Sequence, residues 1–272
     1  MMSRDNILPQ DDGSEVFRFS LRRLALIVTL IVVAIGFVAI VVRAGVEQAR
    51  LSQLRSQLPH SFSLLAYGLK VRGGVHEVSK YSERKEWPPK CPTDGNGQPT
   101  NSWRLHVADV MLLTDDGVSP WGQPSEPWDS PANRLASRTH GPVFCAIPPY
   151  EFTTVFGVTG PRTAFDETFV TKYADLPPDI IVAMEVADSK THWMQPGDYD
   201  VSELLAKSGE LGAAVKSHLP DRIHVVFADG EVWPLSSDLQ MKSLHSFLTI
   251  EGATSASRDK ELGPYRIPLE LN

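Results

Sequence analysis

The chain has little of what most zinc and nucleic-acid-binding proteins need. It has only two cysteines among 272 residues, and it has no Cys-x-x-Cys pair or cysteine–histidine cluster, which argues against a zinc site. It has no block of lysine and arginine, and its formal net charge is −7. Because phosphate binding requires a clustered basic surface, the composition argues against a nucleic-acid partner.

The sequence also lacks the short motifs of common catalytic and cofactor sites. It has no Gly-x-Ser-x-Gly nucleophile elbow, no phosphate-binding loop and no Gly-x-Gly-x-x-Gly segment. We therefore expect a protein without enzymatic activity and without a bound cofactor.

Charge is absent from one long segment, Leu24 to Val42, which also lacks proline. Nineteen helical residues at about 1.5 Å each span about 28 Å, close to the hydrocarbon core of a bilayer. A secretory signal usually has an apolar core of about 7–15 residues and a small-residue cleavage site. This segment is longer and runs into Arg43, so it predicts a retained transmembrane helix in contact with membrane lipid. A cleaved signal and a buried core helix are the alternatives.

The arginines that flank this segment predict its orientation. Four precede it and three follow it closely: Arg4, Arg18, Arg22 and Arg23, then Arg43, Arg50 and Arg55. Because cytoplasmic flanks carry the excess of positive residues, we expect a single-pass protein of the plasma membrane with a cytoplasmic N-terminus. The large domain is then expected to be extracytoplasmic.

The predicted helix continues beyond the apolar segment. Residues 43–58 are rich in helix formers, and Leu51, Leu54 and Leu58 recur at helical spacing. Pro59 lacks a backbone donor and disfavours helix at the residue before it, so we expect one helix over residues 21–58. The leucine stripe fits either a packing face for the protein's own domain or an oligomer interface.

The remaining sequence predicts an α+β fold with short helices and long loops. Its 21 prolines and 19 glycines interrupt the chain often after residue 87. We expect helices over 130–138, 200–206 and 239–250, the second capped by Asp200 and the third by Asp238, and strands over 151–159 and 179–187; residues 101–113 fit a helix or a strand. The regions are a disordered tail over 1–20, the helix over 21–58, the domain over 59–252 and a loose tail over 253–272.

One hairpin has a clear sequence signal. Residues 223–228 are apolar, Asp229 and Gly230 follow, and Glu231-Val232-Trp233 comes next. An Asp-Gly pair between two strand-like segments is typical of a two-residue turn in which both residues take positive φ. We therefore predict a β-hairpin with Asp229 and Gly230 at its tip.

Two groups of ionisable residues are candidates for chemistry. His218, His224 and Asp229 lie within 12 residues and have side chains of the metal-ligating type. Glu185, Asp188 and His192 form the second group and are candidates for a general acid and base, and burial of Glu185 in a strand would raise the pKa of its carboxyl group. A hydrogen-bonded structural role is the alternative for both groups.

Oxygen-rich turns leave calcium open as a ligand. Asp115-Asp116-Gly117 and Asp198-Tyr199-Asp200 offer oxygen ligands, which calcium prefers, although no EF-hand spacing is present. Five tryptophans supply either core area or a surface for a glycan or peptide: Trp103, Trp121, Trp128, Trp193 and Trp233.

The two cysteines also leave two alternatives open. If the domain is extracytoplasmic, a disulfide between Cys91 and Cys145 is allowed. The alternative is two separate buried thiols.

Five segments match a known family. They are NSWRLHV (101–107), EPWDSPANRLASR (126–138), VTGPRTAF (158–165), EVADSKTHWMQPGD (185–198) and HVVFADGEVWPLS (224–236). On these segments the chain resembles the planctomycete family of pilin-like proteins with the domain of unknown function DUF1559 and a C-terminal His-x9-Asp-Gly motif. The motif positions are Trp103, Arg104, Trp128, Asp129, Glu185, His192, Trp193, His218, Asp229 and Gly230.

The resemblance covers roughly residues 20–252 and implies a pilin-like shape, in which a long N-terminal helix leans on a small antiparallel sheet. The chain differs from the family in two places. Residues 17–23 (FRFSLRR) stand where the family has a processing glycine and a glutamate, and ten residues rather than nine separate His218 from Asp229.

Together these features predict a membrane-anchored protein of the cell envelope that binds or assembles with other envelope proteins or with copies of itself. The alternatives are a membrane-tethered hydrolase and a cation-binding sensory module. A deep pocket in which Glu185 and His192 converge would favour an enzyme, and a flat sheet covered by loops would favour binding.

Overall fold

The computed structural model describes residues 21–72, 87–88, 91, 93–95, 97–111, 122–123, 125–138, 143–147, 150–170 and 172–269. The chain divides into two compact units, Met1–Arg50 and Leu51–Asn272. The predicted tail over 1–20, the turn at Asp115-Asp116-Gly117 and Trp121 lie outside the described residues.

Helix α1 (Leu21–Arg72) contains the apolar segment. Fourteen large apolar side chains between Leu24 and Val42 are each 42–69% exposed, so the first unit provides no core for them. The most apolar window of α1 has a mean hydropathy of 3.2, and among the described residues α1 is the one helix long and apolar enough to cross a membrane.

The second half of α1 corrects the predicted helix end. The helix does not stop before Pro59 but continues to Arg72. Its inward side chains are buried at helical spacing: Leu54, Leu58, Phe62, Leu65, Ala66 and Leu69. Burial of a large apolar side chain contributes about 1.5–3 kcal/mol, so the side chains after Pro59 offset the roughly 3 kcal/mol that an interior proline costs. The leucine stripe is therefore a packing face within the second unit.

Five strands form one mixed sheet in the order β3-β1-β2-β4-β5. The strands are β1 (Val155–Thr159), β2 (Ile181–Glu185), β3 (Tyr199–Asp200), β4 (Arg222–Phe227) and β5 (Val232–Ser236). All pairings are antiparallel except β1 with β3, which is parallel. The α+β class is confirmed, but the expectation of a purely antiparallel sheet is wrong at this edge.

Both faces of the sheet are buried. Val182 and Val226 belong to the core that contains the α1 side chains, whereas Ile181 and Val225 belong to a second core formed with the later short helices. Because successive side chains on a strand point to opposite faces, burial on both sides produces the continuous apolar runs seen in β2 and β4.

The described part of the chain has seven further α-helices, all short: α2 (Trp103–Met111), α3 (Arg134–Arg138), α4 (Val201–Ala206), α5 (Leu211–Ala214), α6 (Met241–Leu244), α7 (Ile250–Ser255) and α8 (Arg258–Glu261). Residues 103–111, which fitted either element, are helical. Asp200 caps α4 as predicted, and its Oδ1 accepts from the Ser202 N–H at 2.8 Å. Asp238 caps no helix, because Gln240 is the N-cap of α6, and the predicted helix over 239–250 breaks into a 3-10 turn at His245.

The C-terminal segment is ordered, so the prediction of a loose tail over 253–272 is wrong for its described part. Ala253 and Leu262 are buried in the two cores. The Ile267 N–H donates to the Pro234 carbonyl at 2.8 Å, and Arg266 pairs with Leu235 as an isolated bridge. The segment therefore covers the outer edge of β5.

The β4–β5 hairpin is confirmed, but its turn differs from the prediction. The Gly230 N–H donates to the Phe227 carbonyl at 2.9 Å, and the Phe227 N–H donates to the Glu231 carbonyl at 2.9 Å. Gly230 has φ +79°, whereas Asp229 is not among the residues with positive φ. This geometry is a three-residue loop that ends in a left-handed glycine, and it leaves the Asp229 side chain free to bond elsewhere.

We expect Gly230→Val to lower the free energy of unfolding by about 2 kcal/mol, because left-handed backbone is costly for residues with a Cβ and most costly for β-branched ones. Gly230→Asn is the matched control, since asparagine tolerates this region. Both new side chains meet the flexible end of Lys70, so the difference between them isolates the backbone term. Denaturant melts of the detergent-solubilised chain measure it, and equal stabilities would contradict the turn assignment.

Candidate functional site

A buried ion pair joins two of the family-like segments. Arg104, in the first turn of α2, is fully buried, and its Nη2 lies 2.8 Å from Asp198 Oδ1. The guanidinium also donates to the carbonyls of Val155 at 3.0 Å and Gly197 at 2.9 Å. Burial lowers the pKa of Arg104, and the Asp198 carboxylate partly offsets this effect. The side chain thus ties α2, β1 and the segment before β3 together.

Asp198 receives two more donors on the same oxygen. The Gly157 N–H lies at 2.7 Å and the Trp103 Nε1–H at 3.0 Å from Oδ1. A Cβ at Gly157 would lie 3.0 Å from Trp103 Nε1, so any larger residue would require the indole to shift by a few tenths of an ångström. Asp198 belongs to one of the two oxygen-rich turns that left calcium open as a ligand. Because the turn faces a guanidinium, electrostatics disfavour a second cation there.

A second buried network surrounds Glu185 at the end of β2. This fully buried carboxylate accepts from Ser217 Oγ at 2.6 Å, from the His218 N–H at 2.8 Å and from His224 Nδ1 at 2.7 Å. Burial alone raises the pKa of Glu185, but the bonds from His224, Ser217 and His218 outweigh it and hold the pKa below its ordinary value. The expectation of a raised pKa is therefore wrong.

The Glu185–His224 pair faces the interior. His224 is 1% exposed, and its ring lies 5.5 Å from the ring of Phe62 on α1. A glutamate–histidine pair of this geometry can orient an imidazole, but substrate cannot reach a ring enclosed on this side of the sheet. The pair joins β2 to β4 beneath α1.

His218, His224 and Asp229, the candidate metal ligands, do not come together. His224 is bound to Glu185, His218 lines a separate cavity, and Asp229 is bound to Arg258. Among the described residues, no group of three or more histidine, cysteine, aspartate or glutamate side chains has a metal-binding arrangement.

Glu185 and His192 do not converge either. His192 Nε2 lies 2.8 Å from the Ser137 carbonyl, and its Nδ1 accepts from the Met194 N–H at 3.2 Å. The ring stacks on Trp128 with centroids 4.8 Å apart, and burial lowers the pKa of His192. A neutral imidazole with both nitrogens engaged fastens α3 to the segment before β3.

Asn133 is a motif residue that the sequence reasoning missed. It is fully buried, and its amide donates to the carbonyls of Gln123 at 3.0 Å, Glu126 at 3.0 Å and Pro127 at 2.9 Å. Its carbonyl accepts from the Gln123 N–H at 2.6 Å. The available signal was its place within the EPWDSPANRLASR segment, where Asp129 by contrast is exposed.

The hairpin aspartate fastens the C-terminal segment. Asp229 pairs with Arg258 of α8 through two bonds of 2.6 and 3.1 Å. The Arg258 guanidinium also lies 4.5 Å from the ring centre of Phe227 and 4.9 Å from that of Trp233. Sequence reasoning did not find Arg258, because its partners lie about 30 residues earlier in the chain.

Three of the candidate tryptophans and one of the two cysteines are buried. Trp103, Trp193 and Trp233 are buried to within 1%, so the core interpretation is confirmed for these three, and Trp128 is partly buried. Both cysteines lie among the described residues and are thiols without a disulfide between them; Cys145 is buried and Cys91 is partly exposed.

Comparisons with known proteins give no indication of the function. No family model, no curated protein and no solved structure matches the chain.

The pH dependence of stability tests the Glu185 network. Because the pKa of Glu185 is lower in the folded state than its ordinary value of 4.5, its contribution is complete above that value and is lost as the pH falls below it. We expect Glu185→Gln to be less stable at pH 7 and to lose less stability on acidification than the unsubstituted chain. Glu203→Gln, at an exposed position of α4, is the control and keeps the original acid slope. Identical slopes for the Glu185→Gln variant and the original chain would contradict the network.

Proposed function

We propose that the chain is a single-pass protein of the plasma membrane. In this proposal the N-terminus is cytoplasmic, and the second unit is an extracytoplasmic domain that binds or assembles without catalysing a reaction. The observation that carries the proposal is the uniform exposure of the uncharged segment from Leu24 to Val42.

The energetics of this segment favour lipid. Insertion of each central Leu, Ile, Phe or Val contributes about −0.3 to −0.6 kcal/mol. Because these values hold at the helix centre, the fourteen large side chains of the segment, all exposed, favour insertion by at most about 8 kcal/mol in sum. In water the same apolar side chains would stay exposed to solvent, because the first unit offers no core in which to bury them.

Two observations support a binding role over a catalytic one. Glu185 is bonded to Ser217, His218 and His224 inside the protein. His192 has both ring nitrogens engaged. Glu185 and His192 thus each have structural partners in place of an opening toward a substrate.

Family membership is part of the proposal. The family-like segments contact one another: Trp103 and Arg104 bond to Asp198, and Trp128 stacks on His192. Residues 54–69 of α1 pack in one core with Val182 and Val226 of the sheet, which is compatible with a pilin-like arrangement. The chain lacks the family's processing glycine and glutamate, so we propose that the helix stays attached after synthesis.

Membrane extraction of the full chain tests the anchor. We expect a chain with an N-terminal epitope to remain in the membrane fraction after alkaline carbonate treatment and to keep both its full mass and its epitope. Val33→Arg with Ile35→Arg should release it, because each arginine at a helix centre costs about 2.5–3.5 kcal/mol. Gln48→Arg with Gln53→Arg, at exposed polar positions, is the matched control and should stay in the membrane.

Protease treatment of intact cells tests the orientation in the same preparation. The second unit should be digested from outside while the N-terminal epitope survives. Loss of the epitope before any treatment would mean that the segment is a cleaved signal, and a second unit that resists until cells are opened would contradict the outside location.

A further inference from the structure

A small cavity lies beside the Glu185 network, and His218 belongs to both. Its volume is about 180 Å³, its apolar wall includes Ile147 and Phe152, and its polar rim includes Asp188, Lys190 and His218. A cavity of about 150 Å³ lined by apolar side chains is large enough for benzene. This cavity therefore has room for one medium-sized side chain and not for a chain of several residues.

The rim of the cavity has strained backbone. Asp188 and Lys190 both have φ +54°, in the left-handed region that most residues with a Cβ avoid and that aspartate adopts more readily than lysine. Among the described residues, four non-glycine residues have positive φ; Tyr150, two positions before Phe152, is a third on this side of the protein. Strain of this kind persists where the surroundings fix the backbone, and it occurs often at ligand sites.

Hydrogen bonds around Ser189 fix this strained segment. Ser189 Oγ donates to the Thr153 carbonyl at 2.7 Å, and the Thr153 N–H donates to the Thr191 carbonyl at 2.9 Å. The Ala187 N–H donates to the Lys216 carbonyl at 2.9 Å. The segment between β2 and β3 is thereby held on both sides, so the two charged residues are positioned before any ligand arrives.

The charges of Asp188 and Lys190 are opposite in sign and accessible to a ligand. Asp188 and Lys190 are exposed, and within the described parts of the chain neither makes an ion pair or a side-chain hydrogen bond. The ammonium of Lys190 lies 5.7 Å from the ring centre of Phe152, which places it over the apolar wall. A carboxylate and an ammonium beside one apolar cavity match a ligand that carries both charges and an apolar group.

We propose that this cavity binds a free α-amino acid with a medium-sized apolar side chain. Its ammonium faces Asp188, its carboxylate faces Lys190, and its side chain enters the space beside Phe152. The inference deepens the binding role proposed above and rests on it. The C-terminus of a peptide would satisfy Lys190 but would leave Asp188 without a partner, so a free amino acid fits better.

Thermal unfolding and calorimetric titration of the full chain in detergent test the ligand. L-Leucine is the probe, with leucinamide, N-acetyl-L-leucine and glycine as analogues that lack the carboxylate, the ammonium or the side chain. We expect L-leucine to raise the melting temperature and to bind at least about tenfold more tightly than each analogue, because each analogue lacks one of the three contacts.

Two substitutions test which charged group of the ligand each residue contacts. Asp188→Asn and Lys190→Asn remove one charge each, and asparagine tolerates the left-handed backbone. The Asp188→Asn variant should lose only its discrimination against N-acetyl-L-leucine, and the Lys190→Asn variant only its discrimination against leucinamide. Asp238→Asn, exposed and outside the cavity, is the control. If an asparagine variant fails to fold, the corresponding glycine variant replaces it, since glycine relieves the strain.

Clear outcomes would overturn the inference. They are no binding of L-leucine, L-valine or L-phenylalanine by the unsubstituted chain, equal affinity for L-leucine and its analogues, tighter binding of a peptide C-terminus, or unchanged discrimination in both variants. Carbonate extraction of the same preparation is read separately. If the chain stays in the membrane but binds no amino acid, the proposed ligand is wrong. If the chain is released from the membrane, the proposed anchor is wrong.

Discussion

The buried pair between Arg104 and Asp198 is the contact on which the domain most depends. One fully buried guanidinium and one carboxylate oxygen connect α2, β1 and the segment before β3. A charge buried without its partner is expensive, so the chain folds here only if all these segments arrive together. The same contact joins the segments 101–107 and 185–198 through the side chains of Trp103, Arg104 and Asp198.

Polar residues that bond inside the protein differ from those whose charges are exposed to a ligand. Glu185, His192, His224 and Asp229 all have partners inside the protein. Asp188 and Lys190 have strained backbone and exposed charges instead. The buried acids and imidazoles thus hold the domain together, and the exposed charges of Asp188 and Lys190 are the ones that a ligand can reach.

Features that depend on neighbouring residues could be predicted from the sequence, whereas features that depend on contacts between distant residues could not. The Asp200 cap and the strands β2 and β4 follow from neighbouring residues, because caps and doubly buried strands leave local patterns. The continuation of α1 through Pro59 depends on burial of Phe62 and later residues against the sheet, which no local pattern contains. Likewise Arg104 and Asp198 lie 94 residues apart, and the loop conformation at Asp229 depends on both strands.

A double-mutant cycle on Arg104 and Asp198 tests the architectural role most directly. Arg104→Met and Asp198→Leu, singly and together, are compared by denaturant unfolding of the full chain in detergent. Each single change leaves one buried charge uncompensated, which costs about 3–5 kcal/mol, whereas the double change removes both charges. We expect the double variant to be more stable than the sum of the single losses predicts, by about 2 kcal/mol or more. Additive losses, equal within about 0.5 kcal/mol, would contradict the dependence of the fold on this pair.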